Sequence, residues 1–183
     1  ELSIDDQETF TLHFGDYGID PFVPGLEDHP HVLRLVKEAD ESTGYVFGGA
    51  WHSDWSFQAA PPSYTILYGY DIPPYGGDTM FANLYQAYEI LSPEMRRVCE
   101  SLQVTHSARQ GYAPSMAGVH DLYENMEVIA SEEALNITVH PMVCRHPVTS
   151  RKLLFLTGVY SIGIEGMHQD EADTLLNFLK KQI

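Results

Sequence analysis

The chain has 183 residues, of which 26 are acidic and 10 basic, for a formal charge of −16. That balance repels phosphate backbones, so nucleic acid is not expected as a partner. An apolar fraction of 44% suits one folded domain with a real core. No apolar run approaches the roughly 18 residues that span a bilayer, so no membrane role is expected.

Short apolar runs separated by turn signals fill the first half. FTLHFGDYG (10–18) reads as a strand entering a glycine turn, and HVLRLVKEAD (31–40) as another short strand. SYTILYGYDI (63–72), rich in β-branched and aromatic residues between two Pro-Pro pairs, reads as a third. TMFAN (79–83) follows the turn at Gly76-Gly77-Asp78 and reads as a further strand, carrying Thr79 toward His52 and Asp54. Two helices come next: LYQAYEIL (84–91), then a segment that Ser92 caps and Pro93 opens, with Met95, Val98 and Leu102 on one face.

Residues 106–136 show weak periodicity and read as a long loop with one short helix. ITVHPMVCRHP (137–147) and KLLFLTG (152–158) then flank a polar turn, as in a hairpin. HQDEADTLLNFLKK (168–181) has leucines at helical spacing, acids in its first turn and lysines in its last. Strands with a few outer helices predict a mainly β architecture, a sandwich or jelly roll. Cys99 and Cys144 are too few for a disulfide framework and lack zinc-site spacing, so a reducing cytoplasm is the expected location.

The strongest chemical signal is Trp51-His52-Ser53-Asp54, set after Gly48-Gly49. On an extended strand, residues two apart point to the same side, so one imidazole and one carboxylate can reach a single cation. Two His plus one carboxylate would leave three of six metal positions open for substrate and dioxygen. Alone, His-x-Asp is common and most often a pair of surface polar residues. The bulky Trp51, Trp55 and Phe57 around it predict a buried, water-restricted pocket instead.

The stretch WHSDWSFQAAPPSYTILYGYDIPPYGGDTMFANLYQAYEILSP resembles the iron-binding core of the taurine dioxygenase and chlorophenoxyacetate dioxygenase family. HPMVCRHPVTSRKLLFLTGVYSIGI is similar to a later family block. The resemblance runs over most of residues 14–181. It implies a double-stranded β-helix of the cupin-like jelly-roll kind, with residues 1–183 as a single dioxygenase domain incomplete at its C-terminus and its N-terminus. It also implies iron(II) as cofactor, 2-oxoglutarate as co-substrate, and dioxygen plus a small polar organic acid or zwitterion as reaction partners. Succinate and carbon dioxide would be released, and a homo-oligomer is compatible with it.

By the same resemblance, His52 and Asp54 match the first two iron ligands, and Thr79 the threonine that contacts a 2-oxoglutarate carboxylate. Tyr112 and Tyr160 fall where aromatic residues wall the substrate pocket. Asp20, Val23 and Gly48 depart from the taurine-reading positions, which makes taurine itself doubtful and favours a substrate with a cationic or hydroxyl group near Asp20. The family's second metal histidine, in a Trp-Asp-Asn-Arg-x-x-x-His segment, and the arginine after it have no counterpart in this sequence. An iron site lacking its third protein ligand is therefore expected here. Two other readings stand beside this one: a cupin-like hydrolase or isomerase using the same pair on zinc or manganese, and a catalytically inactive binding module.

Overall fold

The computed structural model describes residues 2–183. Its first element is a helix, α1 (Ile4–Thr11), whose end takes up the first two residues of the strand predicted over 10–18. The reason is local: Ser3 and Asp6 form a reciprocal capping box, each side chain bonding the other's backbone N–H. No residue of α1 is buried, so capping rather than packing sets its start. Beyond it the predicted strands at 31–40, 63–72 and 79–83 are absent, and these segments run as irregular chain. β-Branched and aromatic residues favour strands only when a partner and a half-buried face exist. Here Tyr70, Tyr75 and Phe81 are more than 80% exposed.

The second half is regular. α2 (Leu84–Glu89) is capped by the Asn83 side chain, and α3 (Pro93–Glu100) by Ser92 with Pro93 in the first helical turn, as its sequence predicts. β1 (Gln103–His106) follows, then a loop holding two short helices, α4 (Arg109–Tyr112) and α5 (Ala117–His120). β2 (Thr138–Pro141), β3 (Val143–Arg145), β4 (Lys152–Leu154), β5 (Ser161–Ile164) and α6 (Gln169–Lys180) complete the chain. A three-stranded antiparallel sheet has the order β2-β1-β5, and β3 pairs with β4 as a separate hairpin. Helical residues outnumber strand residues among the described residues, so the full jelly roll is not seen in them.

The expected hairpin exists, but its first arm is split between the two sheets at Met142. That residue is fully buried; its N–H donates to the Leu102 carbonyl, and its own carbonyl accepts from Phe155. One long β-prone run thus turns a corner, because both backbone groups at the break find partners elsewhere.

α6 closes one core by placing Ala172, Leu176 and Leu179 against Val104, Leu154, Leu156 and Ile164. Each such leucine contributes roughly 1.5–3 kcal/mol by leaving water. A second cluster joins Phe22 and Val23 to Ala108, Tyr112, Ala113, Ala134 and Tyr160. It carries the N-terminal half of the chain on the loops that follow β1 and β4.

His106 lies fully buried between Phe155, stacked at 5.5 Å, and His140 at 5.2 Å. Burial pushes its imidazole down to about 4, aided by the positive charge available on His140 and Lys180. The fold therefore keeps this ring neutral, while an unfolded histidine takes its proton near 6.5. Its contribution is complete above 6.5 and is lost as the pH falls toward about 4. Melting temperatures measured across that window are expected to fall more steeply for the native protein than for His106→Gln.

Candidate metal centre

The segment 50–58 is held in place without belonging to a sheet. The Gly158 N–H donates to the Trp51 carbonyl at 2.9 Å. Ser56, fully buried, meets His106 Nδ1 at 3.1 Å. The Thr138 hydroxyl donates to the Phe57 carbonyl at 2.7 Å, and His140 Nε2 to the Gln58 carbonyl at 3.0 Å. Strands β1 and β2 thus reach the segment through side chains rather than a ladder. The sequence predicts His52 and Asp54 on one strand, but the segment is irregular and Asp54 opens a turn.

The turn still brings the pair together, with His52 Nε2 3.1 Å from Asp54 Oδ1. Nδ1 of His52 lies 2.7 Å from the Ala50 carbonyl, which can only accept, so Nδ1 carries the proton. In the neutral ring Nε2 is then a lone pair facing a carboxylate oxygen. Two acceptors at that distance cohere only if a positive species joins them, either a second proton or a cation. Asp54 raises the His52 pKa, with burial opposing and the Ala50 carbonyl assisting. His52 in turn lowers that of Asp54, against burial and with help from the Thr65 hydroxyl.

Thr65 Oγ1 donates to Asp54 Oδ2 at 2.6 Å, which leaves Oδ1 as the oxygen directed at His52. Two donors each about 2.1 Å from a first-row metal, at a right angle, stand roughly 3 Å apart. The observed pair matches that spacing, so its donor chemistry fits one edge of a metal's coordination shell. No other His, Cys, Asp or Glu among the described residues brings a ligand atom within 4.8 Å of both. The pair is also more open than the aromatic context predicts, with side chains 29% and 40% exposed and Trp51 itself exposed.

Gly48 sits beside the pair with φ +73°, and a Cβ there would lie 3.6 Å from His52 Cε1. Tyr160 flanks the other side, its ring edge-on to His52 at 6.3 Å. Phe57 packs on Tyr160 at 4.9 Å, and Phe22 stacks on Tyr112 at 4.6 Å. Burial raises the pKa of both tyrosines, that of Tyr160 to about 12, where Asp54 and Asp20 add to it and Tyr112 partly offsets it. Both phenols therefore stay protonated donors at neutral pH. Tyr160 is fixed by its own turn: its N–H donates to Thr157 Oγ1, its carbonyl accepts from Ser107, and Lys180 Nζ binds the Gly158 and Ser161 carbonyls.

Thr79 is exposed on irregular chain rather than on a neighbouring strand. It follows Gly77 and Asp78, which share an open cleft of about 700 Å³ with Gly44, Tyr45, Val46 and Gly49. The structure thus gathers His52, Asp54, Gly48, Tyr112 and Tyr160, and sets Thr79 next to residues lining that cleft. Asp20 has both carboxylate oxygens occupied, Oδ1 by the Phe22 and Val23 amides and Oδ2 by the Trp55 indole. Val23 is buried in the second core. Thr65 escaped the sequence reading; its one signal was a hydroxyl in a β-prone run after the Pro-Pro pair.

Known proteins give the context. The chain is 29% identical over 185 residues to the alpha-ketoglutarate-dependent dioxygenase cnsM of Penicillium expansum, covering 97% of this chain and 50% of that one. It is 31% identical over 152 residues to an alpha-ketoglutarate-dependent sulfonate dioxygenase of Saccharomyces cerevisiae, covering 82% and 34%. The crystal structure of a taurine dioxygenase from Burkholderia xenovorans superposes with a TM-score of 0.72 at 27% identity, over 99% of this chain and 55% of that one. The chain therefore spans about half the length, or less, of these relatives. The model of the taurine catabolism dioxygenase TauD, TfdA family matches residues 1–183, and with these likenesses to dioxygenases the chain belongs to that family.

Proposed function

We propose that this chain carries the metal-binding segment of a non-haem iron(II), 2-oxoglutarate-dependent dioxygenase acting on a small polar organic acid or zwitterion. The observation that carries the reading is the 3.1 Å approach of His52 Nε2 to Asp54 Oδ1, with the other histidine nitrogen already bound to a carbonyl. His52 and Asp54 would hold the metal, on a protein of jelly-roll architecture like its structural neighbours. Iron(II) with 2-oxoglutarate and dioxygen supplies the oxidation of a substrate C–H bond, releasing succinate and carbon dioxide.

The chain's own residues supply the geometry. Ala50 fixes the tautomer of His52, and Thr65 ties back one oxygen of Asp54, so that His52 Nε2 and the other Asp54 oxygen would be the atoms to hold the metal. Thr79 would hold a carboxylate of 2-oxoglutarate from the cleft edge. Tyr112 and Tyr160 would wall the substrate side as protonated phenols, and Gly48 leaves room beside His52. The partners are the small-molecule substrate and dioxygen. The reading places the protein in the cytoplasm, where the free Cys99 and Cys144 stay reduced.

His52→Ala and Asp54→Ala are each expected to reduce succinate formation coupled to oxygen uptake by more than about 100-fold, beyond the usual loss of an outer-shell partner. Product formation without oxygen uptake would favour a hydrolase or isomerase instead. Thr65→Val, which keeps shape and deletes the hydroxyl, is expected to weaken Mn(II) affinity roughly 10-fold, read by metal titration. Taurine is expected to turn over poorly against a panel of sulfonates, sulfate esters, aryloxyacids and amino acids. Val23 is buried and Gly48 has no side chain, so neither offers a directed hydrogen bond to it.

A further inference from the structure

Trp55, the residue immediately after Asp54, has φ +48°. A bulky residue in the left-handed region persists only where its surroundings over-determine it. Two features do so. The indole Nε1–H donates to Asp20 Oδ2 at 2.8 Å. The ring also covers Gly18 so closely that a Cβ there would sit 2.2 Å from Trp55 Cζ3.

Asp20 is itself immobilised. Its Oδ1 accepts from Phe22 N at 2.7 Å and Val23 N at 2.9 Å, and both of those residues are buried in the second core. Three donors thus engage both oxygens of the carboxylate, which leaves it less disposed to meet a substrate charge. Gln58 Nε2 reaches the Ile19 carbonyl at 3.2 Å, so residues 18–20 hold the turn at both Trp55 and Gln58. The opposite side of that turn is held by His106, Thr138 and His140.

We infer that Asp20 is a positioning residue: through the Trp55 indole it fixes the left-handed turn that presents the Asp54 carboxylate to His52. The inference rests on the proposal that these two residues hold the metal, and it gives Asp20 a role other than reading substrate charge. Loss of either half of the hydrogen bond lets the turn relax toward ordinary backbone and moves Asp54 Oδ1 off its position. The consequence is weaker metal binding with an unchanged preference among substrates.

The test is a double-mutant cycle on the intact protein, with Asp20→Asn, Trp55→Phe and the pair together. Asparagine can still accept the Phe22 and Val23 amides, but its NH₂ faces the indole N–H; phenylalanine keeps a ring over Gly18 and deletes only the donor. Mn(II) affinity is read by titration and by the electron paramagnetic resonance of the bound ion. KM is compared for a sulfonate and for an amine-bearing substrate. Each single variant is expected to raise the Mn(II) dissociation constant about 10-fold, and the double variant no further. The ratio of the two KM values should stay unchanged.

Multiplying losses in the double variant would overturn the inference. So would an Asp20→Asn protein that shifts the KM ratio while binding Mn(II) normally. Should Asp20→Asn fail to fold, Trp55→Phe alone decides, because it removes the same bond: unchanged Mn(II) affinity refutes, a tenfold loss supports. His52→Ala and Asp54→Ala are the controls. If they bind Mn(II) as well as the parent, the metal reading itself has failed, an outcome distinct from a failure at Asp20.

Discussion

The site depends on how one irregular segment is fastened. Residues 50–58 have no ladder of their own, yet they carry both metal-ligand candidates. A backbone stretch outside a sheet must place its N–H and C=O groups somewhere. Here Gly158, Thr138 and His140 take three of its carbonyls, and His106 binds Ser56 from a fully buried position. The core under β1 and α6 thereby transmits its rigidity to a turn that would otherwise be soft. Lys180, at the end of α6, extends the same fastening to the loop that carries Tyr160.

Electrostatics explains why the fastening has to be this tight. An imidazole whose Nδ1 already donates to Ala50 presents a lone pair to Asp54, and the carboxylate presents another. Nothing in the pair holds it together until a proton or a cation enters, so the scaffold must keep the two acceptors facing. Thr65 binds the far oxygen of Asp54 and thus selects which oxygen faces His52. Pre-organisation of this sort lies outside the two candidate ligands, in the residues that hold them in place.

The division between the two halves of the chain follows from where partners exist. Segments 63–72 and 79–83 have the composition of strands but leave Tyr70 and Phe81 exposed, because no described strand pairs with them. By contrast Leu176 and Leu179 of α6 and Leu154 of β4 are buried in one cluster. β-Propensity states which surface a residue would suit, whereas only a neighbouring strand can supply that surface.

The sequence by itself determined what depends on near neighbours. Ser92-Pro93 marks the start of α3, the spacing in 168–181 marks α6, and the polar turn near 150 marks the β3–β4 hairpin. His52 and Asp54 were legible as a pair, and the family was legible from the motifs around them. What required the tertiary structure is everything set by distant contacts: the split of one predicted strand at Met142, the pairing of β1 with β5, and the absence of ladders among the described residues before 84. Thr65 and Asp20 belong there too, since 11 and 35 residues separate them from the partners their hydrogen bonds reach. A hydrogen bond across the fold leaves no periodicity in the sequence, because its geometry is decided only when the core brings the two segments together.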